Sequence, residues 1–194
     1  MTFPNWFANS QSNFSIATIS NLDITGPLQC LQIGVFTGDA SEWIARHLLL
    51  HPNSSLDDVD TWEGSDEEAH HAMDFTSVED YYQDRMRKYI IDGSVVPHKT
   101  TSRKFFTSCT KEYDFIYIDG NHTALAVLND AIDADRHLKV GGILAFDDYQ
   151  WSAGKDRLDD PKPAIDCFLD IYGPYYNVII KNWQVWLIKT AATE

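Results

Sequence analysis

The chain has 194 residues, 44% hydrophobic and 13% aromatic, with 29 Asp and Glu against 15 Lys and Arg for a net charge of −14. That length and apolar content suit one domain with a sizeable core and argue against disorder, and no apolar run approaches the ~18 residues of a membrane span. So acidic a chain can barely assemble the basic face that grips a phosphate backbone; no nucleic-acid or membrane partner is expected, and a neutral or cationic small molecule, or one held through a metal ion, fits better.

Residues 1–27 are polar and aromatic, anchored by Trp6, Phe7 and Phe14, and predict a helix or arm that ends at the turn Thr25-Gly26-Pro27. Two uses of this arm stand side by side: packing on its own domain, or mediating a homodimer. The segment lacks a basic patch followed by an apolar stretch, so no secretory signal is expected. Cys30, Cys109 and Cys167 are odd in number and far apart, and read as reduced packing residues of a cytoplasmic protein.

Residues 28–33 read as a buried strand running into Gly34-Val35-Phe36-Thr37-Gly38 and then a helix over 40–50, which His51-Pro52-Asn53 stops. A second strand spans 55–59 and ends at Asp60. From residue 57 to 80 acids crowd without a Lys or Arg, with Asp66, Glu67, Glu68, Glu79 and Asp80 among His70, His71, Met73 and Phe75. Residues 63–84 are therefore either a solvated helical face or a lid over a substrate. Val78, Tyr81 or Tyr82, Met86 and Tyr89 recur at three-to-four spacing and predict a helix over 77–91. A short third strand begins at Val95, and residues 101–107 suggest a short helix.

Residues 113–149 carry the strongest pattern. The runs FIYI (115–118) and ILAF (143–146) stop at Asp119 and at Asp147-Asp148, and a helix-like segment, 123–138, lies between them, closed by Lys139-Val140-Gly141-Gly142. Strand, helix and strand make a βαβ crossover, whose parallel strands bring all three carboxylates to the one sheet edge where open α/β sheets bind ligands. Beyond a polar loop at 152–163, a helix over 164–172 and two strand-like runs, 175–180 and 184–189, complete the chain as a hairpin. The sum is a single domain over residues 1–194, the arm at 1–27 followed by a doubly wound, Rossmann-like α/β core over 28–194. Its seven-stranded sheet is mostly parallel, with an antiparallel strand in the C-terminal hairpin.

Gly34-x-x-x-Gly38 after a buried strand lets backbone approach a ligand closely. Asp60, 22 residues past Gly38, can accept both hydroxyl hydrogens of a ribose, and Trp62 offers a flat surface to an adenine. The spacing is not the G-x-G-x-x-G of dinucleotide folds, since Phe36 fills the middle position.

Together, residues 31–38 (LQIGVFTG), 59–62 (VDTW), 117–122 (YIDGNH) and 138–149 (LKVGGILAFDDY) resemble the class I S-adenosylmethionine-dependent methyltransferases. Within these they are most similar to small-molecule O-methyltransferase-like proteins with D-G-x-H and G-G-x-x-x-x-D-D-Y steps. The resemblance spans about residues 28–190. It implies S-adenosylmethionine as cofactor, with Gly34, Phe36 and Gly38 beside its methionine part, Asp60 on ribose, and Thr61, Trp62, Thr101 and Ser102 near adenine. The chain departs from the family at Gln32, where an acid is common, and at Ala40-Ser41, where Ser commonly stands one position earlier.

Methyl transfer from a sulfonium is an in-line displacement that needs alignment and an electron-rich nucleophile. A hydroxyl acceptor loses its proton to a general base, or has its pKa lowered by a divalent cation. Asp119, Asp147 and Asp148 offer the oxygen ligands that Mg²⁺ prefers, and His122 stands where metal-dependent relatives carry a lysine base. Plainer readings remain beside these: Asp119 contacts the cofactor amine or caps a helix, Asp147 and Asp148 bind substrate hydroxyls without metal, and His122 merely opens a helix. The expectation is S-adenosylmethionine-dependent O-methylation of a small molecule. The rivals are a non-catalytic S-adenosylmethionine-binding module and a nucleotide-dependent oxidoreductase, the latter opposed by Phe36.

Overall fold

A computed structural model describes residues 3–65, 70–154 and 156–193. A 3-10 turn at Trp6–Asn9 precedes α1 (Gln11–Ile19), β1 (Gln29–Ile33), α2 (Asp39–His47), β2 (Ser55–Asp60), α3 (Phe75–Ile91), β3 (Val95–Lys99) and α4 (Ser102–Ser108). There follow β4 (Tyr113–Ile118), α5 (Ala124–His137), β5 (Leu138–Phe146), α6 (Lys162–Tyr172), β6 (Tyr176–Lys181) and β7 (Val185–Lys189). The seven strands form one sheet in the order β3-β2-β1-β4-β5-β7-β6. All neighbours are parallel except β7, which runs antiparallel to both β5 and β6, so the expected hairpin supplies one reversed strand.

The strands present alternate side chains to two cores. On one face Cys30, Phe115, Tyr117 and Trp186 pack against α1, α2 and α3 through Phe14, Trp43, Ile44, Val78, Tyr82 and Met86. On the other, Leu31, Ile33, Ile116, Ile118 and Leu144 pack against α4, α5 and α6 through Phe105, Val127, Ala131, Ile165 and Phe168. Of the apolar repeat expected in α3, Tyr82 rather than Tyr81 is the inward residue. No helix among the described residues is long and apolar enough to cross a membrane.

One element differs from the sequence expectation. Residues 139–142 are not a turn closing a helix but lie inside β5. Leu138 pairs with Tyr113, and the next pair is Ile143 with Phe115, so the register jumps across a bulge. Gly141 takes φ +88°, and a Cβ on Gly142 would sit 2.9 Å from the Lys139 carbonyl, which is why a strand can absorb these residues only as glycines. Asp66, Glu67 and Glu68, part of the expected lid or solvated face, lie outside the described residues; from the same stretch, residues 75–84 belong to α3.

Two adjacent carboxylates are buried in β2. For Asp57, burial is outweighed by hydrogen bonds from His98, Lys111 and Tyr113, which hold it below the usual carboxylate range. Asp58 receives the Tyr82 hydroxyl at 2.8 Å on Oδ2 and a hydrogen bond from the Ser41 side chain, but burial outweighs both and pushes its pKa up to about 7. Between about pH 4 and 7 the native state therefore binds a proton that the unfolded chain has released. The associated stability is full at low pH and lost as pH rises through 7. Asp58→Asn keeps an acceptor for Tyr82 and never ionises. Its stability relative to the native sequence is expected to rise between pH 5 and pH 8 by at most about 3 kcal/mol, from the two pH units below a pKa of about 7 at ~1.4 kcal/mol per tenfold in proton affinity. Urea unfolding at both pH values measures this; a pH-independent difference would exclude the buried titration.

Candidate active site

The carboxyl ends of β1, β2, β4 and β5 open into a cavity of about 900 Å³, toward the upper end of the ~300–1,000 Å³ of small-molecule pockets. Its walls come from residues 34–36, 59–65, 100–102, 119–122 and 147–148, from Trp151, and from Trp183 and Gln184 of the hairpin turn. Among the described residues three non-glycines adopt positive φ: Phe36 (51°), Trp62 (48°) and Asp148 (54°). All three line this cavity. Such backbone costs about 1–3 kcal/mol per residue and clusters where a site holds it in place.

Gly34 takes φ +81°, and its amide donates to the Val59 carbonyl at 2.9 Å. A Cβ there would lie 1.9 Å from the Asp119 carbonyl oxygen, so the tips of β1 and β4 close against each other through this glycine. Gly38, expected beside the cofactor, is not part of the cavity wall. It starts α2 at φ +78° with the Tyr82 ring 2.7 Å from where a Cβ would stand, because the loop has already turned back toward α3. Phe36 does line the cavity.

Asp60 occupies its expected place at the tip of β2. Its Oδ2 accepts the Val35 and Phe36 amides at 2.6 and 3.0 Å, and its Oδ1 the Trp62 amide at 2.8 Å. A carboxylate has about four acceptor positions, so roughly one remains for a ribose hydroxyl rather than two. Trp62 donates its indole N–H to the Phe36 carbonyl at 3.0 Å and packs on Tyr82; at 4% exposure it gives the cavity an edge rather than an open face. Thr61, Thr101 and Ser102 all reach the wall.

The acids at the tips of β4 and β5 separate into two groups. Asp119, His122 and Asp148 bring one ligand atom each within 4.8 Å of one another. His122 Nε2 is 3.1 Å from Asp148 Oδ2, Trp151 packs against the imidazole at 4.7 Å, and the Trp183 indole donates to Asp148 Oδ1 at 3.1 Å. Asp147 belongs elsewhere: its Oδ2 accepts the Tyr117 hydroxyl and its Oδ1 the Asp148 amide. Burial, with Asp148 beside it, raises the Asp147 pKa. The metal set expected from the sequence, Asp119 with Asp147 and Asp148, is therefore not the group of ligand atoms that converges; His122 takes the place of Asp147. The left-handed turn at Asp148 accompanies this division, and a strand-end D-D pair in sequence does not reveal it.

The N-terminal arm packs on its own domain. Phe14 is fully buried among Trp43, Tyr117 and Trp186, and Trp6 stacks on Phe36 at 4.7 Å. Asn13 donates to Gln184 at 2.8 Å. The arm thus supplies Trp6, Phe7, Asn9, Ser10 and Asn13 to the cavity wall, a contribution the sequence reading missed. Its only signal was the density of aromatic side chains in a polar segment. Among the described residues the wall carries six carboxylates and two imidazoles but no Lys or Arg, so the cavity favours cations and neutral groups.

The residue pattern of the family described as "Methyltransferase domain" matches residues 31–149. No curated protein sequence matches. Among solved structures, the O-methyltransferase NovP is 16% identical with a TM-score of 0.70, covering 94% of this chain and 80% of that one. The Podospora anserina methyltransferase PaMTH1, solved with SAH, is 12% identical with a TM-score of 0.66 over 97% and 80% of the two chains. TomG from Streptomyces achromogenes, an O-methyltransferase involved in tomaymycin synthesis and solved with SAM, is 15% identical with a TM-score of 0.61 over 84% and 73%. At such identities the likeness is one of fold.

Proposed function

The chain belongs to the methyltransferase domain family, and from that premise we propose that it transfers the methyl group of S-adenosylmethionine to an oxygen of a small molecule. The observation that carries this is the meeting of two arrangements in one cavity: the Gly34–Asp60 tips of β1 and β2, and the Asp119–His122–Asp148 group at the adjoining tips of β4 and β5. The residues fit the cofactor. A wall with six carboxylates and no described Lys or Arg suits a ligand bearing a sulfonium and an ammonium, and Asp60 retains acceptor capacity beside a strained loop.

In this reading Asp119 and Asp148 hold the acceptor's oxygens. His122 takes the hydroxyl proton on Nε2 as the oxygen attacks, with its own hydrogen on Nδ1 and the acceptor hydroxyl replacing Asp148, 3.1 Å away, as the partner of Nε2. Tyr117 fixes Asp147 from below, and Trp6, Trp151 and Trp183 exclude water from the acceptor side. Mg²⁺ or another divalent cation would be held by Asp119 and Asp148, and when bound would lower the acceptor's pKa. An imidazole that ligates such a cation through Nε2 gives up its role as base, so His122 serves one purpose or the other; base is the role proposed. The same acidity of the wall disfavours acceptors bearing phosphate or carboxylate, nucleic acids included. The three free cysteines accord with a cytoplasmic setting.

Calorimetry with S-adenosylhomocysteine and with NAD⁺ tests the cofactor. Binding of the first and not the second is expected; the reverse would turn the reading into an oxidoreductase. Methyl transfer to neutral and cationic hydroxyl compounds, assayed with Mg²⁺ and with chelator, tests the reaction. Tight cofactor binding with no transfer across a broad panel would leave a binding module instead.

A further inference from the structure

Asp147 has no part in holding the acceptor as proposed above, yet it is tied to both carboxylates that do. It reaches the cavity wall, but its oxygens are engaged from behind that wall: Oδ2 accepts the Tyr117 hydroxyl, and Oδ1 accepts the Asp148 amide at 2.8 Å. Each donor leads on to the acceptor group. The Tyr117 hydroxyl also lies 3.3 Å from Asp119 Oδ2, so its one hydrogen is shared between Asp119 and Asp147. The Asp148 amide belongs to the residue whose left-handed backbone aims its carboxylate at His122.

The surroundings make this a rigid brace. Tyr117 is 1% exposed, and its ring packs edge-on against Phe14 at 4.8 Å and beside Trp186. Gln184, fully buried, approaches Asp147 with its side-chain amide. The orientation of that amide is set by chemistry. The Trp186 indole N–H can only donate, and it reaches Gln184 Oε1 at 3.0 Å, where Asn13 also donates at 2.8 Å. Nε2 is thereby turned toward Asp147, short of full hydrogen-bond geometry. Asn13 and Phe14 are neighbours on α1, so one turn of the arm steadies both the amide and the phenol.

We propose that Asp147 is a positioning residue: through the Tyr117 hydroxyl and the Asp148 amide it fixes the Asp119 and Asp148 carboxylates around the acceptor, and Asn13 and Phe14 of the arm hold it there by way of Gln184 and Tyr117. This deepens, and rests on, the S-adenosylmethionine reading above. Asp147 itself touches neither acceptor nor cofactor.

Crystal structures of full-chain variants give the first readout and need no acceptor. In Asp147→Ala the Asp119 and Asp148 carboxylates are expected to shift by about 1 Å or more, and in Asp147→Asn to stay within about 0.5 Å, the tolerance of a working site. Asn keeps the brace, because its carbonyl accepts the Asp148 amide while its NH₂ donates to the Tyr117 oxygen, leaving the phenol hydrogen to Asp119. Tyr117→Phe keeps the ring packing and should release Asp119 alone; it stands in if the Ala variant does not fold. The second readout is turnover on whichever hydroxyl compound the native protein methylates. A misplacement of about 1 Å can cost about 10²-fold, so kcat should fall by about 10–100-fold in Asp147→Ala, with S-adenosylhomocysteine bound within about threefold of native, and recover to within about fivefold in Asp147→Asn. Carboxylates that keep their places in folded Asp147→Ala, or in Tyr117→Phe for Asp119, overturn the proposal whether or not turnover falls, and so does native turnover in Asp147→Ala. A native protein that binds no S-adenosylhomocysteine ends the cofactor reading instead, and the crystallographic comparison still decides whether Asp147 positions its neighbours.

Discussion

His122→Ala is expected to slow methyl transfer by about 10²–10⁴-fold, the range lost with a general base, while S-adenosylhomocysteine binds within about threefold of the native affinity. The imidazole lies on the Asp148 side of the cavity, between Asp148 and the Trp151 ring, whereas Asp60 and the Val35 and Phe36 amides hydrogen-bond to each other at the β1–β2 side. Its loss therefore falls on turnover and not on cofactor affinity. A base leaves a further mark, because the acidic limb of the pH–rate profile should vanish in the variant. Titration with Mg²⁺ or Mn²⁺ separates the two uses of His122. If it holds a cation, excess metal restores much of the rate; if it takes the proton, excess metal restores none. Asp148→Ala removes the partner of His122 and the acceptor of the Trp183 indole together, and should be at least as severe. Native-like turnover in either variant would remove the acid–imidazole group from the chemistry.

The second large effect is expected at Gly34. An alanine there would place its Cβ 1.9 Å from the Asp119 carbonyl oxygen and 2.7 Å from the Gly120 Cα, both backbone atoms that no side-chain rotation can move aside. The tips of β1 and β4 would have to part, at the cost of the Asp119 amide's bond to the Ile33 carbonyl, now 2.8 Å long. Overpacking costs ~1–3 kcal/mol, and the left-handed backbone adds ~1–2 kcal/mol once a Cβ is present. The melting temperature should fall by about 10 °C at ~2–4 °C per kcal/mol, and S-adenosylhomocysteine binding should be lost. Gly93→Ala isolates the contact. Gly93 has φ +79° but nothing within 4 Å of a Cβ, so it should show the backbone cost alone, with cofactor binding intact. Equal effects at the two positions would refute the steric account.

Much of the architecture was legible because three of the buried strands end at an acid and the fourth runs into a glycine-bounded loop. Residues 28–33, 55–59, 115–118 and 143–146 fall on β1, β2, β4 and β5, and Gly34, Asp60, Asp119 and the Asp147-Asp148 pair that follow them reach the cavity. Side-chain direction at the strand ends was hidden. Asp147 and Asp148 look equivalent in sequence, yet a single left-handed residue sends one toward Tyr117 and the other toward His122. The bulge in β5 was hidden too, since a Gly-Gly pair marks a turn and an absorbed bulge equally well. Asp58 and Asp130 were invisible as buried groups. Acids in a chain of net charge −14 read as surface, and only packing by Tyr82 and Ser102 reveals otherwise. The arm's share in the cavity depends on contacts between residues 13 and 184, beyond the reach of any local pattern.

The position of β7 has a consequence for synthesis. β7 follows β6 in the chain but is inserted between β5 and β6, and the turn leading into it carries Trp183 and Gln184 to the cavity. Until residue 189 is available, β5 offers an open, apolar edge of the kind that pairs with other chains. A nascent chain stalled before the hairpin would hold its Gly34 and Asp60 tips without the Trp183–Gln184 part of the cavity wall, so the exposed edge is covered and the cavity completed by the same few residues.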